Sequence, residues 1–125
     1  MLQGRQMLPT IPAGDLARAR AWCAAKLGFT TQDVAPEALL YESGGNRLFL
    51  LFSSTTAGTA QHQLAAFVVE NLEAEVAQLR GRGVVFEEYD TPGLRTARGI
   101  AITPAGKAAW FKDSEGNVLT MTQLL

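Results

Sequence analysis

The sequence contains only one cysteine, Cys23, and one histidine, His62, and this scarcity limits the chemistry that it can support. A single cysteine excludes an intrachain disulfide and any metal site built from several thiolates. It also fits a reducing compartment, so we expect a cytoplasmic protein. His62 could act as a general base and Cys23 as a nucleophile. However, His62 lies in a polar linker, which favours an exposed strand start, and Cys23 lies on the apolar stripe of a predicted helix, which favours a buried core thiol.

The sequence also lacks a charge excess and a long apolar run. Eleven Lys and Arg residues and twelve Asp and Glu residues give a net charge of −1, so nothing indicates binding to nucleic acid or to an anionic membrane. No segment approaches the roughly 18 apolar residues of a membrane span, and residues 1–10 lack the apolar run of a signal peptide. The glycine-containing turns lack the Lys-Ser/Thr of a phosphate loop. With 47% hydrophobic residues in 125, the composition predicts one compact domain.

An internal repeat is present instead. LPTIPAGDL at residues 8–16 and LAAFVVENL at residues 64–72 share one layout, at an offset of 56 residues. Each has an extended apolar run, then an Asp or Asn, then a leucine that opens a helix. Asp15 and Asn71 are suited to cap these helices, because their side-chain oxygens can accept hydrogen bonds from the first free amides. The repeat therefore predicts two similar strand–helix units.

Glycines and strand-like segments complete each unit. Gly28 can end the first helix in a left-handed conformation, and Gly81 or Gly83 can end the second. Gly45 and Gly116 lie in turns that predict hairpins. The strand-like segments are ALLYES (38–43), RLFLLFS (47–53), GVVFEEY (83–89), GIAIT (99–103), KAAWFKD (107–113) and NVLTMTQ (117–123). The order of strand, helix and several strands occurs twice, which predicts an α+β protein.

Two segments resemble the glyoxalase/bleomycin-resistance/extradiol-dioxygenase superfamily, also called the vicinal oxygen chelate superfamily. IPAGDLARARAWCAAKLGF (11–29) is similar to the family's opening strand and helix, and AAWFKDSEGNVLTM (108–121) is similar to its closing hairpin. The resemblance implies two βαβββ repeats whose curved mixed sheets form a cleft, usually in a homodimer. We expect one domain over 1–125, with repeat one at about 5–54, a linker at about 55–62 and repeat two at about 63–125.

The resemblance also locates a metal site. Enzymes of this family hold a divalent metal with His, Gln or Glu side chains from four strands. The corresponding positions in this sequence are Leu8, Leu51, Leu64 and Thr120. Three of these side chains are hydrocarbons, so we expect that the metal site is lost and that no cofactor is bound. A register shift of two would bring His62 onto the face of Leu64, but a single imidazole does not make a metal site.

The same positions predict the lining of the cleft, because residues two apart on a strand share a face. This lining is apolar with a few hydroxyls and fits an apolar or aromatic small molecule. The candidate ligand-binding residues are Thr10, Phe49, Leu51, Ser53, Leu64, Ala66, Trp110, Thr120 and Thr122. Alternation does not assign a face to Trp110 or Tyr41. For the aromatic residues, packing against the two helices is an alternative to ligand contact.

A loop-like stretch at residues 89–101 contains two candidate loop contacts, Arg95 and Arg98. Both could clamp an anionic group if they pointed into the cleft, and the alternative is that they are solvated. Pro92 and Gly93 fix a turn within this stretch. A long loop on a rigid sheet is a common place for binding, so we interpret it as a lid or a dimer contact.

Three functions are consistent with these features of the sequence. The leading hypothesis is a metal-free, homodimeric protein that binds or sequesters a small molecule, as antibiotic-binding members of the family do. The rival is a lyase or dioxygenase of the same superfamily, with a metal site in another register or working without metal. The third is a protein whose fold serves assembly with a partner, which an exposed apolar patch beyond the dimer contact would favour.

Overall fold

A computed structural model of the protein describes the backbone of residues 1–125 and every side chain except that of Asp33. The first half of the chain forms one strand, one helix and three further strands. Its elements are β1 (Thr10–Ala13), α1 (Leu16–Trp22) with a π-helical continuation (Cys23–Leu27), β2 (Asp33–Ala35), β3 (Ala38–Ser43) and β4 (Asn46–Ser53). The sheet has the order β1-β4-β3-β2, with β1 parallel to β4 and the other pairs antiparallel.

The second half repeats this arrangement with one insertion. Its elements are β5 (Gln63–Val68), α2 (Leu72–Gly81), β6 (Asp90–Thr91), β7 (Leu94–Arg95), β8 (Ile100–Thr103), β9 (Gly106–Lys112) and β10 (Val118–Leu124). The sheet order β5-β10-β9-β8 matches the first sheet, with β5 parallel to β10, while β6 and β7 form a separate hairpin. The predicted α+β fold of two βαβββ repeats with curved mixed sheets is confirmed.

The predicted helix ends are also confirmed. The Asp15 side chain accepts a hydrogen bond from the Arg18 amide at 3.0 Å, and the Asn71 side chain accepts one from the Ala74 amide at 3.1 Å. Gly28 adopts a left-handed conformation with φ +78° and ends the first helical segment. Each cap satisfies backbone groups that have no partner inside the helix. Neither helix of the described chain has the length and apolar character needed to cross a membrane.

The expectation of a strand over residues 83–89 is wrong. Phe86 is buried, but pairing is limited to a bridge between Phe86 and Phe111 and a hydrogen bond from the Glu87 amide to the Trp110 carbonyl at 2.8 Å. The reason is that β8 already pairs with β9 over Gly106–Ala109 on this side. Little of the β9 edge is therefore left for a further strand.

The helix-bearing faces of the two sheets meet in one hydrophobic core. Trp22 of α1 stacks on Phe111 of β9 with ring centroids 6.3 Å apart, and Phe29 stacks on Phe67 of β5 at 5.8 Å. Cys23 is buried in this core, as expected, and burial raises the pKa of its thiol to about 11. The opposite face of each sheet points away from this core. We call these the first outer face, on the sheet of β1 to β4, and the second outer face, on the sheet of β5 and β8 to β10.

Hydrogen bonds join the two segments that carry the family resemblance. Glu115, in the turn before β10, accepts two hydrogen bonds from the Arg18 guanidinium at 2.8 Å and one from the Asp15 amide at 2.9 Å. Asn117 is 2% exposed and donates to the Pro12 carbonyl at 2.7 Å, while its side-chain oxygen accepts from the Gly58 amide at 3.1 Å. The closing hairpin is therefore fixed to the first strand, the first helix and the linker.

Candidate ligand-binding site

Strand pairing shows which predicted lining residues share the second outer face. Thr120 on β10 pairs with Ala66 on β5 and with Trp110 on β9, and Thr122 pairs with Val68 on β5. Paired residues on neighbouring strands project from the same face of a sheet. Four predicted residues, Ala66, Trp110, Thr120 and Thr122, therefore lie together on the second outer face.

The register at Leu64 differs from the expected one. Val118 pairs with Gln63 and Leu119 with Ala65, so the register shifts by one residue at Leu64. Because of this shift, the alternation of faces that holds from Ala66 onwards does not assign a face to the residues at the start of β5. Gln63, which the sequence did not single out, takes a place beside Val118 on the second outer face.

The predicted face of three residues in β4 is wrong. Leu51 pairs with Ile11 and Ser53 with Ala13, and both partners are buried on the helix-bearing face. Phe49, two residues before Leu51, also belongs to the core and stacks on Tyr41 with ring centroids 4.6 Å apart. Phe49, Leu51 and Ser53 therefore lie on the face opposite to Thr10.

Leu50 occupies the position that the sequence analysis gave to Leu51. Thr10 pairs with Leu50 in the first sheet as Ala66 pairs with Thr120 in the second, and Thr10 and Ala66 are 56 residues apart. Leu50 is half-buried and lies outside the core cluster. The correction replaces one leucine by another, so it adds no metal ligand.

A hydrogen bond holds the Trp110 side chain across the second outer face. The indole nitrogen of Trp110 on β9 donates to the side-chain oxygen of Gln63 on β5 at 2.8 Å, although β10 lies between these strands. Strands in a sheet are about 4.8 Å apart, so the two side chains together span roughly 10 Å above β10. The indole therefore covers Thr120, its cross-strand partner, which is 1% exposed.

An open cavity of about 380 Å³ lies beside the indole. Tyr89 meets Trp110 edge-on, with ring centroids 5.6 Å apart and an interplanar angle of 88°, and burial raises the pKa of its phenol. The remaining lining is Gln61, His62, Gln63, Leu94 and Val118. Gln61 and His62 come from the linker before β5, and the other lining residues come from the second half of the chain. The cavity combines aromatic and aliphatic surface with amide and imidazole groups that can form hydrogen bonds.

Several residues that line this cavity were not predicted to do so. His62 is exposed, as predicted, and its Nδ1 lies 2.9 Å from the Gln63 carbonyl oxygen, yet it also lines the cavity. Tyr89 and Leu94 belong to the stretch that we interpreted as a lid. Tyr89 directly precedes β6 and Leu94 begins β7, so the apolar residues on either side of the Pro92–Gly93 turn were the signal that could have revealed them.

The two predicted loop arginines do not converge. Arg95 on β7 forms an ion pair with Asp90 on β6 at 3.4 Å, and both side chains are largely exposed. Arg98 has φ +54°, and its carbonyl accepts a hydrogen bond from Arg80 at the end of α2. The two residues thus have separate surroundings, which does not support a shared anion clamp.

The family's metal does not fit the residues at its expected positions. Leu8, Leu64 and either Leu50 or Leu51 offer no lone pair, and Thr120 offers one hydroxyl oxygen. That hydroxyl is buried and has no hydrogen-bond partner among the described residues. Within the described part of the chain, no three His, Cys, Asp or Glu residues lie close enough to hold a metal ion. A divalent metal in a protein needs three or four such ligands.

A family comparison, which agrees with the fold, defines the class of protein. The family model described as the Glyoxalase/Bleomycin resistance protein/Dioxygenase superfamily matches residues 7–121. The chain therefore belongs to this superfamily. No match is found among curated proteins.

Solved structures share the fold at low sequence identity. A bleomycin-binding protein complexed with bleomycin superposes with a TM-score of 0.71 at 20% identity, covering 96% of this chain and 98% of that one. A bleomycin resistance determinant encoded on the transposon Tn5 gives 0.70 at 20% identity, with 95% and 97% covered. TnmS3, an antibiotic-binding protein from Streptomyces sp. CB03234, gives 0.64 at 20% identity, with 96% and 97% covered.

Proposed function

We propose that the protein binds a small apolar or aromatic molecule on its second outer face, without a metal. The observation that carries this proposal is the Trp110 indole, held by Gln63 above Thr120 and bordered by Tyr89. A ring fixed in this way is a flat binding surface that is already immobilised, so ligand binding costs less conformational entropy. The names of similar structures, which include bleomycin-binding and antibiotic-binding proteins, support a role in small-molecule binding.

The lining of the cavity indicates the charge of the ligand. It contains the amides of Gln61 and Gln63 and the imidazole of His62, but no carboxylate. The net charge of the whole chain is only −1. A strongly cationic drug such as bleomycin would be attracted to a more acidic surface. We therefore propose a neutral aromatic ligand that stacks on Trp110 and accepts or donates hydrogen bonds at the two glutamines.

We further propose that the protein acts in the cytoplasm as a homodimer. The first outer face carries the half-buried side chains of Leu40, Leu50 and Phe52, which lie outside the core. The cavity beside Trp110 takes no residue from this face. A second copy could cover the apolar surface and add a wall to the cavity, and a partner face of this kind commonly buries several hundred Å² per subunit.

The test uses the fluorescence of Trp110 in a Trp22→Phe variant, which leaves Trp110 as the only tryptophan. Neutral aromatic and antibiotic-like compounds are first screened by thermal shift on tag-free protein, since a ligand of the native state raises the melting temperature. We expect a hit to change the Trp110 emission on titration. Trp110→Ala should weaken its binding by about tenfold or more, whereas Trp110→Phe should retain most of it.

The same panel contains divalent metals and a chelator. Stabilisation by one metal that the chelator reverses would contradict the metal-free proposal and favour a lyase or dioxygenase. Hits that bind Trp110→Ala as tightly as the parent would place the ligand elsewhere on the molecule. Light scattering on the same samples measures the mass in solution, and a monomeric mass with and without ligand would rule out the homodimer.

A further inference from the structure

The internal repeat draws attention to Glu75 on α2. Glu75 lies 56 residues after Ala19 of α1, the same offset that relates the two helix caps. Ala19 is 4% exposed and packs beneath the first helix. Glu75 is only half-exposed, so its carboxylate lies at the edge of the core where the other repeat has a methyl group.

The Glu75 carboxylate has no partner among the described residues. Within the part of the chain that the structure describes, Glu75 belongs to no ion pair, and its carboxylate accepts no hydrogen bond. By contrast, its neighbour Glu73 pairs with Lys107 at 2.7 Å. The helix N-terminus favours an acidic residue in the first turn of α2, but this effect is weak and acts equally on Glu73.

Glu75 borders an apolar cavity of about 170 Å³. Phe29 and Phe67, whose rings are stacked at an interplanar angle of 18°, form one side of it. Leu79 of α2 and Met121 of β10 form part of the remaining wall. The cavity shares no residue with the one beside Trp110, so it is a separate site.

We propose that this cavity binds a small organic ammonium ion with an aromatic or short aliphatic body. The ammonium group would pair with the Glu75 carboxylate, which is the single charged group of the lining. The rings of Phe29 and Phe67 line the cavity beside Leu79 and Met121, and they would accept the apolar body of the ligand. This inference does not depend on the function proposed for the second outer face.

The experiment uses methyl NMR on protein labelled at the methionine methyl groups. The chain has three methionines, of which Met1 and Met7 are exposed and Met121 is 3% exposed in the wall of the cavity. The probe is phenethylammonium, and phenethyl alcohol is its neutral counterpart. We expect phenethylammonium to shift the Met121 signal in a saturable way, with Met1 and Met7 as internal references. Phenethyl alcohol should bind at least about tenfold more weakly than phenethylammonium.

Variants separate the carboxylate from the cavity. Glu75→Gln keeps the shape of the side chain, and it should weaken phenethylammonium at least about tenfold while leaving phenethyl alcohol unchanged. Glu70→Gln, an exposed position just before the helix, is the matched control and should bind as the parent does. Equal binding of amine and alcohol, a Met121 signal that does not move, or unaltered amine binding to Glu75→Gln would each overturn the proposal. Trp110→Ala should bind phenethylammonium as the parent does, and loss of the amine in this variant would also overturn the proposal, whereas loss of a neutral aromatic ligand would bear only on the other site.

Discussion

Lys26 and Arg82 lie 56 residues apart, and each donates a hydrogen bond to the backbone carbonyl of the other. The Lys26 ammonium donates to the Arg82 carbonyl, and the Arg82 guanidinium donates to the Lys26 carbonyl at 3.5 Å. Both residues lie at the carboxyl ends of their helical segments, where carbonyls lack a partner inside the helix and the helix dipole attracts cations. This reciprocal pair relates the two repeats by approximate two-fold symmetry and joins the ends of the helices.

Removing one member should measure the strength of this junction. We expect Lys26→Ala to lower the free energy of unfolding by about 1 kcal/mol, since a hydrogen bond from a charged donor is lost at a half-buried position. Lys112→Ala is the matched control, because the Lys112 ammonium is 4.0 Å from its acidic neighbour Glu87. Its effect should stay within about 0.5 kcal/mol. Urea unfolding followed by circular dichroism gives both values, and equal losses would contradict the junction.

The sequence was informative about the fold because several independent signals agreed. The repeat placed two helices, Asp15 and Asn71 marked their starts, and Gly28 marked one end. The caps at Asp15 and Asn71 and the helix end at Gly28 are local effects that a few neighbouring residues determine. The π-helical continuation over Cys23–Leu27 was not predicted. It depends on how the end of α1 packs, which local propensity does not describe.

The candidate site was less predictable, and β4 shows why. Residues 48–52 are Leu, Phe, Leu, Leu and Phe, so apolar and polar residues do not alternate and neither face is marked. Only the ladder, which pairs Ile11 with Leu51, decides that Leu51 lies in the core. Trp110 raises a different difficulty, because its role depends on Gln63, a residue 47 positions away. A contact of this kind leaves no local pattern.

Acid should destabilise the protein through Glu115. The hydrogen-bonded Arg18 guanidinium lowers the pKa of Glu115 from an ordinary 4.5 to about 2. The folded state therefore holds this proton less tightly than the unfolded state does. The stabilisation is complete above about pH 4.5 and is lost as the pH falls towards 2. In Glu115→Gln we expect lower stability at pH 7 and a flatter loss of stability between pH 5 and pH 2, measured by urea unfolding.

Asp113 changes stability with pH in the direction opposite to Glu115. Burial raises the pKa of Asp113, so its protonation in acid favours the folded state. In Asp113→Asn this contribution is absent, and the loss of stability on acidification should become steeper than in the parent. Glu70→Gln, at an exposed carboxylate without an ion pair, should leave the curve unchanged. A parallel curve for Glu115→Gln would show that the ion pair does not govern the acid response.

The thiol of Cys23 should be unreactive in the native state. It is 6% exposed, and burial raises its pKa to about 11. At pH 8 a reagent therefore reaches the sulfur poorly, and only a small fraction of the thiol is ionised to the reactive thiolate. We expect a thiol-reactive dye to label native protein at least about a hundredfold more slowly than unfolded protein, which should react with one equivalent. Absorbance of the released dye follows both reactions. Rapid labelling of the native protein would contradict the core position of Cys23 and restore it as a candidate nucleophile.

Two buried threonines should respond in opposite ways to the same substitution. The Thr120 hydroxyl beneath Trp110 has no partner among the described residues, so Thr120→Val should leave stability unchanged or raise it by about 0.5–1 kcal/mol. The Thr31 hydroxyl donates a hydrogen bond to the Leu40 carbonyl, so Thr31→Val should cost about 1–2 kcal/mol. Valine keeps the branched shape at both sites, and chemical unfolding measures both changes. A loss above about 1 kcal/mol for Thr120→Val would mean that its hydroxyl is hydrogen-bonded in solution, which would require the indole to leave room for water.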